Sequence, residues 1–380
     1  MKKIIIIHHE PLTKKIKRNF FVDELRTRGA VVEYWAVHKL LFKTLHLVDE
    51  IEDLDYTVFD TFHQLKKEID ENKNCFFIVE FTITIKSYKI LYYLTKCGCK
   101  VSAMGIHSSI NFSFREKLLN IRNYGFNKIL PFFNTIINNV GVLFLKCVLP
   151  LNKMDVFFYC GSSSFLQANS IDKIPINSFD FEDYKRLLNI ESIPIDLKGR
   201  KYAVFLDEYL PFHPDINIWG KQSLNPEKYY SALNRFFSFL EHNYFLEVII
   251  AAHPKSNYND TFFQGRKLFK YRTAELVKHS CLVLAHDSLS ISFPVLNYKP
   301  ILFIYLSDFF SMGTSIMALI KKNSRILGTD AICIDNQDYH IKDIERVDRR
   351  KYDEYKYSFL TSKEAENSLN ADIIYSYFSR

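Results

Sequence analysis

Short apolar runs recur along this chain, each closed by a polar cluster, with stretches of helical spacing between them. That alternation predicts parallel sheets wrapped by helices. In the first half the strands read as Ile4 to His8, Val31 to Ala36, Cys75 to Val79, Lys100 to Gly105 and Val156 to Tyr159, with a helix from Thr13 to Arg28 stopped by Gly29. In the second half, strands start at Tyr202, Glu247, Cys281 and Ile301. Helices fall over Pro226 to His242, over Thr273 to His279 and onward from Ser288. Lys173 to Gly199 interrupts the pattern with Pro175, Pro194, several charges and a short helix over Glu182 to Leu188. A division near Leu197 follows, giving domains 1–197 and 198–380, with Asp348 to Leu360 read as a terminal helix packing back across them.

Polar chemistry concentrates where the strands of the second half end. Asp207-Glu208 follow Tyr202 to Leu206, Ala252-His253-Pro254-Lys255 close the next run, and His286-Asp287-Ser288-Leu289-Ser290 close a third. In open α/β sheets, ligands bind in the crevice at the carboxyl ends of the strands. Ser288, Ser290 and Ser292 open a helix whose unpaired N–H groups attract anions, and His253 and Lys255 offer charge-assisted hydrogen bonds from the other side. The combination points to a nucleotide-sugar phosphate. In the first half His8-His9-Glu10 and Gly105-Ile106-His107-Ser108-Ser109 also follow strands. They are candidates for acceptor contact, although histidines at loop starts more often cap helices or bond neighbouring backbone.

The ordered set of an acidic pair, a His-Pro and a Ser-rich helix start, carried by Tyr202 to Ile304, resembles bacterial GT-B glycosyltransferases that use CMP-activated acidic sugars, the sialyltransferases and Kdo transferases among them. The resemblance implies an α/β fold of GT-B type, two Rossmann-like domains facing a central cleft, with acceptor on the amino-terminal side and donor on the carboxy-terminal side. It implies Asp207 or Glu208 as general base. His253, with Pro254 and Lys255, and Ser288, with Ser290, would sit at the CMP phosphate, and His286 would line the pocket. The reaction would be inverting and metal-independent, with the CMP-sugar as donor substrate and no cofactor. An oligosaccharide or lipid-linked surface glycan would be the acceptor. One departure is visible: the acidic motif of the sialyltransferases ends in Gly, and Tyr209 stands there in this chain. A polyol-phosphate transferase taking CDP-glycerol, a sugar-nucleotide epimerase and a non-catalytic nucleotide- or glycan-binding protein are the alternatives.

Composition narrows the classes further. A chain of 380 residues, 48% hydrophobic and 24% charged, has the balance of a folded two-domain protein. Its net charge of +7 suits anionic donors, anionic acceptors or an acidic lipid surface. No nucleic-acid-binding signature stands out, and neither a Gly-x-Gly-x-x-Gly nor a P-loop pattern appears. Seven scattered cysteines fit a reducing cytoplasm, and Cys97-Gly98-Cys99 lacks the second ligand pair of a zinc site. Asp53-Leu54-Asp55 imitates a metal-binding Asp-x-Asp but lies in an acidic run and reads as solvated charge. Phe126 to Leu149 is the greasiest segment and has nearly the length of a membrane span. Pro131, Asn134, Asn138 and Asn139 interrupt it, so a buried helix or one lying in a membrane interface is expected. The resulting location is cytoplasmic, with peripheral contact at the inner face of the plasma membrane.

Overall fold

The computed structural model describes residues 3–42, 51–53, 55–81, 83–106, 129–165, 170–188, 197–213, 224–259, 261–310, 314–336, 338–341 and 343–379. They form two compact units, each built on its own parallel sheet. The first unit takes in Met1–Ser108, Ile129–Phe179 and Thr361–Arg380; the second takes in Asp180–Leu360. The chain thus changes unit at Phe179, upstream of Leu197. The segment that returns to the first unit is Thr361–Arg380, whose helix Asn370–Ser379 buries Ala371, Ile374 and Phe378 among Ile4, Ile6, Val156 and Phe158. Asp348 to Leu360 stays with the second unit.

In the first unit the strands are β1 (Lys3–His8), β2 (Val31–Ala36), β3 (Tyr56–Val58), β4 (Phe76–Glu80), β5 (Lys100–Gly105), β6 (Met154–Tyr159) and β7 (Ser170–Pro175). They lie in the order β3-β2-β1-β4-β5-β6-β7. In the second unit β8 (Tyr202–Leu206), β9 (Glu247–Ala252), β10 (Leu268–Lys270), β11 (Leu282–Ala285), β12 (Ile301–Tyr305) and β13 (Ala331–Cys333) lie in the order β10-β9-β8-β11-β12-β13. Both sheets therefore grow outward in one direction from their first strand and then reverse. That arrangement is doubly wound, with the reversal between β1 and β4 in one sheet and between β8 and β11 in the other.

The local reasons are visible in the residues. Ile4 to Ile7 and Tyr202 to Leu206 are almost wholly buried, because central parallel strands are covered on both faces and select continuous apolar runs. The expected Thr13 to Arg28 helix is broken in two, Lys14–Asn19 and Val22–Thr27. Thr13 caps the first piece by accepting from the Ile16 N–H, and Phe21 takes a left-handed φ of 55° that lets both Phe20 and Phe21 enter the core. Among the described residues no helix is long and apolar enough to cross a membrane.

Candidate functional site

The reversal point of the second sheet gathers three of the sequence-predicted segments, and hydrogen bonds tie them together. Asp207, the residue after β8, is buried, and its carboxylate accepts from the backbone N–H of His253 (3.0 Å), the backbone N–H of Tyr209 (3.0 Å) and the Tyr258 hydroxyl (2.8 and 2.9 Å to the two oxygens). Glu208 Oε1 accepts from the backbone N–H of Asp287 at 2.6 Å, across to the end of β11. The acidic pair thus links the end of β8 to both neighbouring strands. Burial pushes the Asp207 carboxyl above its usual range, and the bonds from His253, Tyr209 and Tyr258 pull against that rise. Three donors surround the carboxylate, so it serves there as an acceptor.

Asp207 thereby ties the turn after β8 to the end of β9 and to Tyr258. Glu208 is the partly exposed member of the pair. Tyr209 has a φ of 54°. The left-handed turn that favours Gly is kept although the residue is Tyr, at a cost of about 1–2 kcal/mol. Its ring packs edge-on to Tyr258 (5.1 Å between centroids) and against Phe212 (5.5 Å), contacts that offset the strained backbone.

His253 is half-buried, directly after β9. Its Nδ1 accepts from the backbone N–H of Lys255 at 3.2 Å. In the neutral ring the proton is then on Nε2, which makes that nitrogen a donor suited to a phosphate oxygen. Its ring also meets His213 edge-on at 4.9 Å. Pro254 and Lys255 form an exposed turn closed by the Ser256 N–H to the His253 carbonyl (2.9 Å). Ser288 is half-buried and caps a single 3₁₀ turn, Leu289–Ile291, by accepting from the Ser290 N–H at 3.2 Å. The longer helix expected from Ser288 is this turn followed by Ser292–Leu296, so its anion-attracting dipole is small. Ser292 is buried, and its hydroxyl is engaged by the Asp180 carboxylate and the Leu289 carbonyl.

His286 departs from its expected place lining the pocket. It is 0% exposed, its Nδ1 donates to the Ile304 carbonyl at 2.6 Å, and its Nε2 meets the Tyr229 hydroxyl at 2.9 Å. Phe205 and Phe309 pack edge-on against the ring. Burial lowers its pKa to about 4, so it is a neutral core histidine that stitches β11 to β12.

In the first unit, the reversal point between β1 and β4 brings together residues that the sequence leaves apart. His8 pairs in register with Glu80 across the sheet. Nδ1 of His9 lies 3.1 Å from the Glu80 carbonyl, which can only accept, so Nδ1 carries the proton and Nε2 of the neutral ring is an acceptor. That Nε2 is 3.9 Å from Glu10 Oε1. Burial pushes the Glu80 carboxyl up to about 8. Glu80 was missed because it closes an apolar run and because strand adjacency is not written in chain order. His107, Ser108 and Ser109 lie outside the described residues. Asp53, expected to be solvated, accepts from Arg26 at 2.9 and 3.1 Å and pairs with Lys17 at 3.1 Å, and these partners hold its carboxyl well below the usual range. Among the described residues no cluster of His, Cys, Asp and Glu could hold a metal ion.

No family model and no curated protein matches the chain. Among solved structures, the chain is similar to Phytolacca americana UGT2 in its complex with UDP-2fluoro-glucose and pterostilbene, at 11% identity over 100% of both chains with a TM-score of 0.55. It is also similar to a putative UDP-N-acetylglucosamine 2-epimerase from Listeria monocytogenes, at 11% identity over 96% of this chain and 93% of that one, with a TM-score of 0.51. The fold is GT-B. At such identity the likeness establishes architecture alone, because one fold hosts many chemistries.

Proposed function

We propose that this GT-B chain is a glycosyltransferase that holds the phosphate of a nucleotide-sugar donor at the carboxyl ends of β8, β9 and β11. The observation that carries the reading is the Nε2 donor of His253, fixed in its tautomer by the Lys255 N–H and tethered through Asp207 to the reversal point of the sheet. Negative charge grows on the leaving phosphate as the glycosidic bond breaks, and preorganised donors lower that barrier. His253 Nε2, the Lys255 ammonium and the Ser288 and Ser290 hydroxyls supply such donors. Glu208, the more accessible of the acidic pair, is the base that takes the acceptor hydroxyl proton. Donor chemistry of this kind calls for no metal, and a single displacement would invert the anomeric centre.

The donor we favour is a CMP-linked acidic sugar such as a nonulosonate or Kdo, passed to a bacterial surface glycan, because the order of the acidic pair, His-Pro and Ser motifs resembles enzymes of that class. The alternative donor is a UDP-sugar, which the UDP-named ligand and substrate of the two similar structures favour. A second assignment of the base follows from His9, whose Nδ1–H is held by the Glu80 backbone carbonyl so that Nε2 is the proton-accepting nitrogen.

A thermal-shift series with CMP, CDP, UDP and GDP tests the donor. Stabilisation by cytidine nucleotides, reduced in His253→Ala, supports the CMP reading; selective stabilisation by UDP replaces the donor and keeps the site; and no nucleotide shift in wild type overturns the proposal. Transfer rates then separate the two bases. Loss of at least about 100-fold in kcat in Glu208→Gln, with nucleotide affinity kept, assigns the base to Glu208, and the same loss in His9→Gln with Glu208→Gln active assigns it to His9.

A further inference from the structure

Among the described residues, the helix Ile129–Val148 of the first unit packs through the side that carries Asn138, Gly141 and Val142. Asn138 Oδ1 accepts from the Ile85 N–H at 3.2 Å, and Gly141 lies so close to Ile85 that a Cβ there would stand 2.5 Å from the Ile85 side chain. Val142 is buried on the same side, and the Tyr88 hydroxyl donates to the Leu149 carbonyl at 2.7 Å just past the helix end. The opposite side is apolar as well. Ile137, Val140, Leu143, Phe144 and Val148 recur at helical spacing and remain between 55% and 66% exposed. A helix that is apolar all round is ordinarily buried, and a contiguous apolar stripe of this kind marks a surface that docks.

Charge indicates what the stripe docks on. From Lys117 to Met154 the sequence contains five basic residues and no acidic one. Lys146 within the helix and Lys153 beyond it are exposed. An apolar face with lysines at its margin is the pattern of a helix lying in a membrane interface, its side chains among the acyl chains and its ammonium groups among anionic headgroups. A second copy of the chain would bring the same positive charge against itself and is disfavoured on that ground.

We propose that the exposed face of the Ile129–Val148 helix seats the protein on an anionic membrane surface, without crossing it. Such seating depends neither on the donor nor on which residue is the base. The test is flotation of the full chain with phosphatidylcholine vesicles and with vesicles containing an equal part of phosphatidylglycerol. The protein floats with the anionic vesicles and much less with the zwitterionic ones. The pair Leu143→Ser with Phe144→Ser lowers the partition coefficient about 100-fold, about tenfold for each large side chain withdrawn from the acyl region. Lys146→Glu with Lys153→Glu lowers binding to anionic vesicles only. Both residue pairs are exposed, and unchanged thermal melting and nucleotide shifts confirm that the variants are folded. Absence from both vesicle types, or equal binding by the Leu143→Ser, Phe144→Ser pair, overturns the inference. So does a concentration-dependent dimer in light scattering that the same pair abolishes, which would make this face a contact between copies.

Discussion

Replacing Asp207 with Asn is the most revealing single perturbation, because two readings of that residue predict different outcomes. The carboxylate accepts from two backbone N–H groups, one on each of its oxygens, and from the Tyr258 hydroxyl through both. An amide keeps one accepting oxygen and turns an NH₂ toward the other backbone N–H. One charge-assisted bond is lost, worth about 1.5–3 kcal/mol, and a buried N–H is left facing a donor, at about 1–3 kcal/mol more. Removing the desolvated charge offsets part of this, since burial already raises the carboxyl pKa. A net loss of about 2 kcal/mol is expected in the second unit, equivalent to about 4–8 °C in Tm. Urea denaturation followed by circular dichroism measures the loss, and amide exchange at Val248 to Ala252 shows that it falls on β9. Glu208→Gln keeps an acceptor for the Asp287 N–H and changes stability by less than about 1 kcal/mol. If Asp207→Asn melts with wild type while transfer alone is lost, Asp207 is a chemical base after all and the positioning account is wrong.

Two predictions rest on buried titrating groups. His286 is held at about 4 against an ordinary value of 6.5. The unfolded chain therefore binds a proton that the folded state refuses between those values, and stability contributed by this site falls as pH drops from about 6.5 to 4, by up to about 3 kcal/mol. His286→Asn should flatten that slope, and an unchanged acid limb would refute the burial argument. Glu80 has the opposite sign. Raised to about 8 from 4.5, it keeps its proton in the folded state, so stability falls as pH rises from about 4.5 to 8 and stays lower above that. Glu80→Gln should stabilise the protein at pH 8 by at most about 4 kcal/mol and have little effect at pH 4, read from urea midpoints at the two pH values. Equal midpoint shifts at both would refute it.

The sheets were legible in the sequence because central parallel strands need continuous apolar runs, and Ile4 to Ile7, Tyr202 to Leu206 and Val248 to Ala252 are such runs. The meeting of Asp207-Glu208 with the ends of β9 and β11 was legible for the same reason: strand ends on one edge of a parallel sheet lie side by side. What escaped depends on partners far away in the chain. His286 looks like a loop histidine until Phe205, Tyr229 and Phe309 close over it. Glu80 gains meaning only once β4 lies beside β1. Phe21, Tyr209 and Phe245 adopt left-handed φ values that residue type argues against, so the helix break after Asn19 and the retained turn at Tyr209 had no local signal. The return of Thr361–Arg380 to the first unit likewise rests on packing of Ile374 and Phe378 rather than on any linker composition.

The central claim is that the strand ends of the second unit bind the donor phosphate, and amide hydrogen exchange with and without saturating nucleotide tests it most directly. Protection should appear at residues 253–258 and 287–290 and vanish in His253→Ala, with the core strands unchanged. Protection confined to the first unit, or absent from both segments while the nucleotide is bound, would contradict the account.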